Sequence, residues 1–248
     1  MSVVERQDTA WQAAELSAAY LTGVRGAIPL AAEQIDILLR LAKAAQPAPR
    51  ALLDLGCGDG ILGHALLDAY SPLKVVGVLA DFSQPMLDAA QARLAGKDAW
   101  FVEVDYAYAG WESRVQIPLA DDKSGFDIIV SGFSIHHQPD SRKRELYKEI
   151  YDLLTPGGIF LNLEHVASAS RWGEEQFEEY FIDSLYRYHA PLGKSRRQVA
   201  ADFYHRPDKA ANILAPVDEQ CRWLTDIGFQ KVDCFLKVFE LALFGGIK

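Results

Sequence analysis

The chain has 248 residues, half of them hydrophobic, with 25 Lys and Arg against 34 Asp and Glu and a net charge of −9. At roughly 150 residues per domain this length suits one α/β domain, and the ordinary composition excludes disorder and fibrous repeats. The acidic balance disfavours non-specific nucleic-acid binding, whose affinity comes from neutralised phosphates. No run of about 18 apolar residues could span a bilayer. The first residues carry Glu5 and Asp8 and no apolar segment of a secretory signal. Cys57, Cys221 and Cys234 are odd in number and widely spaced, which points to a reducing cytoplasm rather than a disulfide framework.

Residues 30–45 place Ile35, Leu38, Leu39 and Ala42 at helical spacing, and Gln46-Pro47-Ala48-Pro49 ends that helix. Five short apolar runs then alternate with helical periods, at 51–53, 75–78, 100–102, 128–130 and 159–161. Near-continuous apolar strands are what a parallel sheet covered on both faces requires. Ser83 is expected to cap the helix carrying Met86, Leu87, Ala90 and Leu94, and Asp140 the one carrying Leu146, Ile150 and Leu153. Repeated strand–helix units predict a doubly wound sheet with its ligand beyond the carboxyl ends of the strands. Residues 166–216 hold no strand-like run and are rich in aromatics, so they read as a helical insertion. A helix bearing Cys221, Leu224 and Ile227 follows, and two β-like runs at 229–235 and 238–244 close the chain.

The segment with most chemistry is Asp54-Leu55-Gly56-Cys57-Gly58-Asp59-Gly60, between the first strand and a helix beginning near Ile61. Glycines there permit a tight turn and let a ligand lie against bare backbone. Dinucleotide enzymes need a related turn spaced G-x-G-x-x-G, which only Gly58, Gly60 and Gly63 could match.

This segment resembles the first motif of the class I S-adenosylmethionine-dependent methyltransferases. The resemblance continues through 77–87, through Val104-Asp105, through Phe126-Asp127 to His136-His137, and through Leu154-Thr155-Pro156-Gly157-Gly158. It covers roughly residues 50–165 and implies a Rossmann-like, seven-stranded, mostly parallel sheet with an antiparallel last strand and the helical insertion after strand five. One domain spans 1–248: an N-terminal helical cover (1–45), a cofactor-binding core (50–165), a helical lid (166–216) and a closing helix and hairpin (217–248).

By position, the resemblance implies that Asp54, Gly56, Gly58 and Gly60 surround the methionine part of the cofactor. Asp81 would accept the ribose hydroxyls, with Phe82 beside it. Asp105 would accept the adenine amino group, with Tyr106 beside the ring, and Phe133 would line the cofactor with its backbone. Arg25, in a segment similar to the family's N-terminal cover, would meet the methionine carboxylate. Cys57 reads as a packing residue. The cofactor is S-adenosyl-L-methionine, its product S-adenosyl-L-homocysteine, and no metal is expected.

On the acceptor side, His136, His137, Glu164 and His165 stand near strand tips, and a histidine can act as a base near neutral pH. In the insertion, Arg196 and Arg197, among aromatics that include Tyr180 and Tyr204, suit a planar carboxylate-bearing substrate. The expected protein is a cytoplasmic enzyme, monomer or homodimer, methylating oxygen or nitrogen of a small molecule. Three rivals stand beside it. The second half is distantly similar to carboxy-S-adenosylmethionine synthases, a tRNA methyltransferase sits badly with the net charge, and a cofactor-binding regulatory or partner subunit would need no turnover.

Overall fold

The computed structural model describes residues 6–116 and 125–248, without the side chains of Arg25, Pro207 and Asp208. Seven strands form one sheet in the order β3-β2-β1-β4-β5-β7-β6. They are β1 (Ala51–Leu55), β2 (Val76–Asp81), β3 (Ala99–Glu103), β4 (Phe126–Gly132), β5 (Leu154–His165), β6 (Gln230–Val238) and β7 (Leu241–Ile247). β1 to β5 pair in parallel, and β7 runs antiparallel between β5 and β6. The chain crosses from β1 outward to β3, then returns to β4 on the other side of β1. The cleft described below opens at that reversal, where α/β sheets bind ligands.

Nine helices lie among the described residues: α1 (Ala14–Gly23), α2 (Ala31–Ala45), α3 (Ile61–Ala69), α4 (Gln84–Arg93), α5 (Glu112–Val115), α6 (Asp140–Leu153), α7 (Arg171–His189), α8 (Arg196–Tyr204) and α9 (Val217–Ile227). β1 is buried along its whole length, as its central position and unbroken apolar run demand. Leu53, Leu55, Ile129 and Phe160 pack on one face of the sheet with α6 and α9. Leu52, Ile128, Val130 and Leu161 pack on the other with α2, α3 and α4. A third cluster joins Phe177, Phe181, Ile182 and Leu185 of α7 to Val199 and Phe203 of α8 and to Ala27, Ile28 and Leu241. The insertion is therefore fastened to the N-terminal segment, and the two together roof the strand tips.

Two expected helix caps differ. Pro139 holds the cap position of α6, and the Asp140 carboxylate instead accepts a bond from buried Lys143 Nζ at 2.8 Å. Ser83 does sit at the cap of α4, but its hydroxyl donates to Trp11 O at 2.6 Å, so it tethers the N-terminal segment.

Candidate functional site

One cleft opens at the carboxyl ends of β1, β2 and β4 and continues beneath α7 and α8. The β1–α3 turn forms part of its floor. Gly56 and Cys57 donate backbone N–H groups to Ala80 O at 2.7 and 3.0 Å, which draws the turn against β2. Gly56 and Gly58 have φ of +66° and +52°, a region that favours glycine. A Cβ on Gly56 would come within 1.9 Å of Ser134 Oγ, whereas one on Gly58 would meet no atom within 4 Å. Gly58 lines the cleft, so its bare backbone is open to a ligand there. Gly60 does not line it: its missing Cβ makes room for Leu94, Leu79 and Ala90. It packs against α4 and β2 at the end of the turn, between the cleft-lining Asp59 and Ile61. Asp54 lines the cleft and accepts Gly63 N–H at 2.8 Å, which fixes the start of α3.

Asp81 ends β2 with both oxygens in place, accepting Gly58 N–H at 2.8 Å and Ser83 N–H at 2.9 Å. Burial pushes its carboxyl up to about 6 despite these bonds. Phe82, Asp105, Tyr106 and Phe133 also line the cleft. Phe133 takes a φ of +51° and donates its N–H to Leu163 O at 2.7 Å, so its backbone is bent into the cleft wall. Sequence reasoning missed Arg6 and Asp8. The Arg6 guanidinium donates to both Asp8 oxygens and to Asp105 Oδ2 at 2.6 Å, and lies 5.9 Å from the Phe82 ring centroid. Asp8 in turn accepts Gln138 Nε2 at 3.2 Å. An adenine amino group reaching Asp105 must therefore share its carboxylate with Arg6. Nothing in the local pattern around Arg6 signals this, because its partner lies 99 residues away. The side chain of Arg25 lies outside the described residues.

Beyond the β4 tip the cleft is walled by His136, His137 and His165. Their rings are neighbours, with centroids 4.0 Å apart for His136–His137 and 5.6 Å for His136–His165. Fully buried Glu164 organises them: its oxygens accept His136 N–H at 3.0 Å and His165 N–H at 2.9 Å, and Oε1 lies 2.6 Å from His136 Nδ1. Burial raises the Glu164 carboxyl to about 7. His137 donates from Nδ1 to Ala211 O at 3.2 Å, and burial together with His136 lowers it to about 3. His165 Nε2 lies 2.8 Å from Glu240 Oε2. Cys57 lines the cleft, but burial, then the charges of Asp81, Asp54 and Asp59, keep its thiol protonated.

The lid residues in the cleft are not the expected ones. Arg196 donates to Asp183 Oδ1 at 2.8 Å and Glu179 Oε2 at 2.6 Å across the outer face of α7, and Arg197 is exposed. α8 buries Val199 and Phe203, which turns both arginines away from the cleft. Tyr180 packs on Phe239, with centroids 5.7 Å apart, and the Tyr204 hydroxyl donates to Glu178 at 3.2 Å. In their place Phe177, Phe181, Phe203, Arg206, Lys209 and Asn212 line the cleft. Phe177 stands inside a run of acids in the sequence, yet it is buried and packs on His165 and Phe181.

The strand-tip half of the cleft fits S-adenosylmethionine. A side-chain-free cradle at Gly58, a carboxylate at Asp81 ready for hydroxyl donors, and the Phe82 and Tyr106 rings could hold its methionine, ribose and adenine parts respectively. Comparison with known proteins agrees. Residues 52–158 match the family model described as a methyltransferase domain. A trans-aconitate 2-methyltransferase of Acidovorax is 40% identical over 210 residues, spanning 77% of this chain and 72% of that protein. A carboxy-S-adenosyl-L-methionine synthase of Nautilia profundicola is 24% identical over 225 residues, spanning 89% and 87%. Among solved structures, an O-methyltransferase family protein from Burkholderia thailandensis superposes with a TM-score of 0.67 at 16% identity, covering 99% of this chain and 64% of that one, and so supports the fold. Motif order, sheet topology and relatives converge: the chain belongs to the class I S-adenosylmethionine-dependent methyltransferases.

Proposed function

We propose that this methyltransferase moves the methyl group to an oxygen or nitrogen of a small molecule held beneath α7 and α8. The observation that carries this reading is the cleft's continuity: the Gly58–Asp81 floor runs without a break into the compartment of His136, His165, Phe177 and Phe203. The bound cofactor supplies a sulfonium methyl group. The chain's own contribution is positioning and exclusion of water, which can be worth up to roughly 7–11 kcal/mol. Asp54, Gly56, Gly58, Asp81, Phe82, Asp105, Tyr106 and Phe133 would hold the cofactor. No helix among the described residues is long and apolar enough to cross a membrane, and three free cysteines suit a reducing cytoplasm.

Among the three histidines, His136 suits the base best. His137 is too weak a base at about 3, and the Nε2 of His165 is engaged by Glu240. His136 has its Nδ1 2.6 Å from Glu164 Oε1, so the buried carboxyl orients its ring in the cleft wall. His136→Gln is expected to lower kcat roughly 10²–10⁴-fold with cofactor affinity unchanged. Glu164→Gln is expected to move the pH profile as well as the rate, since Glu164 is a positioning residue. The assay is formation of S-adenosylhomocysteine over a panel of hydroxyl and amine acceptors, with mass spectrometry of the acceptor. Absence of turnover, or full activity in His136→Gln, overturns the reading.

A second reading rests on the near-full-length similarity to the Nautilia synthase. It predicts a cofactor heavier by one carboxylate and an acceptor left unmethylated, which the same mass spectra reveal.

A further inference from the structure

The acceptor end of the cleft is bounded by an unbroken chain of aromatic rings, with His136 at its middle. On one side His137, Trp11 and Tyr20 follow, at successive centroid distances of 4.0, 6.2 and 5.2 Å. On the other, His165 lies 5.6 Å from His136 and Phe177 lies 5.4 Å from His165. Phe181 and Phe203 continue this arm at steps of 5.7 Å. All of these rings line the cleft. One arm belongs to the N-terminal segment, pinned by the Ser83 hydroxyl on Trp11 O, and the other to α7 and α8. The chain of rings therefore joins both pieces of the roof at the histidines.

The charges in the same wall are already matched. Arg6 is bound by Asp8 and Asp105, and Asp59 by Arg93. Lys209 has its ammonium 2.8 Å from Glu178 Oε1 and 4.1 Å from the Phe203 ring centroid. Asp54 and Asp81 accept backbone N–H groups, and Arg206 also has a partner within the protein. An anionic acceptor would have to break an existing pair or give up its water with nothing in exchange, and burying a charge on those terms is costly. The arginine pair that the sequence suggested for a carboxylate, Arg196 and Arg197, lies on the surface.

We propose that the acceptor is an uncharged aromatic molecule, a phenol or an aromatic amine, whose ring packs against this chain of rings with its hydroxyl or amino group at His136. This rests on reading the lid compartment as the acceptor site. Aromatic rings attract one another, face to edge or offset, at centroid distances of about 4.5–7 Å, a gain that a saturated body of the same size lacks. A cationic acceptor would meet like charge at the sulfonium of the bound cofactor, so both signs of charge are disfavoured.

The test uses the full chain and two phenols, 2-naphthol and 4-phenylphenol, each with a counterpart carrying a ring carboxylate and a fully saturated alcohol of the same skeleton. Binding is measured by calorimetry with and without S-adenosylhomocysteine. At least one phenol should bind saturably and roughly 10- to 100-fold more tightly than its carboxylate, the scale of a buried charge left without a partner. It should bind roughly 2- to 10-fold more tightly than its saturated alcohol. Phe181→Leu and Phe203→Leu keep an apolar side chain and remove a ring. Each should shrink the preference over the saturated alcohol and leave S-adenosylhomocysteine affinity unchanged. No saturable binding of either phenol, carboxylates or saturated alcohols bound as tightly as the phenols, or an aromatic preference undiminished in both variants overturns the proposal. If a phenol binds with these preferences but the acceptor panel yields no methylated product, the methyl-transfer reading fails and the aromatic site stands. If a charged or aliphatic acceptor is methylated and neither phenol binds, the reverse holds.

Discussion

Asp81 shows how one side chain ties folding to function. It is buried with two backbone N–H donors, and burial still prevails, raising its carboxyl to about 6. Ribose hydroxyls would bind the ionised form. The affinity for S-adenosylhomocysteine should therefore rise as pH increases from 5 to 7 and level off above that, with a midpoint near 6 in the free enzyme. Asp81→Asn should flatten this profile and cost roughly 1.5–3 kcal/mol of binding at neutral pH, as expected for losing a charged acceptor. Calorimetry across that range checks both, and a flat wild-type profile would count against the ribose assignment. The motif around Asp54 and Asp81 was legible because it is local and ordered along the chain. What each glycine of the turn faces was not legible, because Gly58 at the open cleft and Gly60 packed on Leu94, Leu79 and Ala90 look identical in a sequence.

At the scale of elements, the roof is two pieces sewn together. The turn Asp8–Gln12 is tied down by Arg6 on Asp105, Gln138 on Asp8 and the Ser83 hydroxyl on Trp11 O. α7 and α8 are tied to residues 27 and 28 through Phe177, Phe181 and Leu185. Neither piece adds a strand to the sheet, so both depend on side-chain contacts rather than on the ladder, the low-stability end of a fold from which lids are drawn. Amide hydrogen exchange in residues 171–206 should slow several-fold when S-adenosylhomocysteine and an acceptor identified by the turnover assay are both present, and less with either alone. Equal protection in all four states would make the roof a rigid cap. The helical character of this insertion was readable from its lack of strand-like runs. Which of its faces met the cleft was not, since α8 buries Val199 and Phe203 and so sends Arg196 and Arg197 outward.

For the molecule as a whole, buried titratable groups at the strand tips pull stability in opposite directions with pH. His137 is lowered to about 3 from an ordinary 6.5, so the unfolded chain takes up its proton first. Its contribution is complete above about 6.5 and is lost as pH falls toward 3. Asp81 and Glu164 are raised, to about 6 and about 7, so they favour the folded state at low pH and lose that contribution as pH rises through those values. The His137 share can be isolated by difference. Relative to wild type, His137→Gln should gain stability as pH falls from 6.5 to 4, at no more than about 1.4 kcal/mol per pH unit. Denaturant melts of both proteins at four pH values measure it, and a constant difference would show that His137 titrates normally.

The sequence by itself determined the doubly wound sheet, the cofactor turn and the presence of a helical insertion. Those features rest on short-range patterns: apolar runs of strand length, glycines at fixed offsets, and helical periodicity between them. It also named His136, His137 and His165, because they stand at the ends of readable strands. Tertiary structure alone decided what surrounds them. Arg6 reaches Asp105, Glu164 grips His136, Lys209 meets Glu178 and Phe203, and each of the first two contacts joins residues at least 28 positions apart. Such partners are chosen by which helix face the core buries, and a face a third of a turn away would have exchanged Lys209 and Phe203 for other residues at no visible cost to the local pattern.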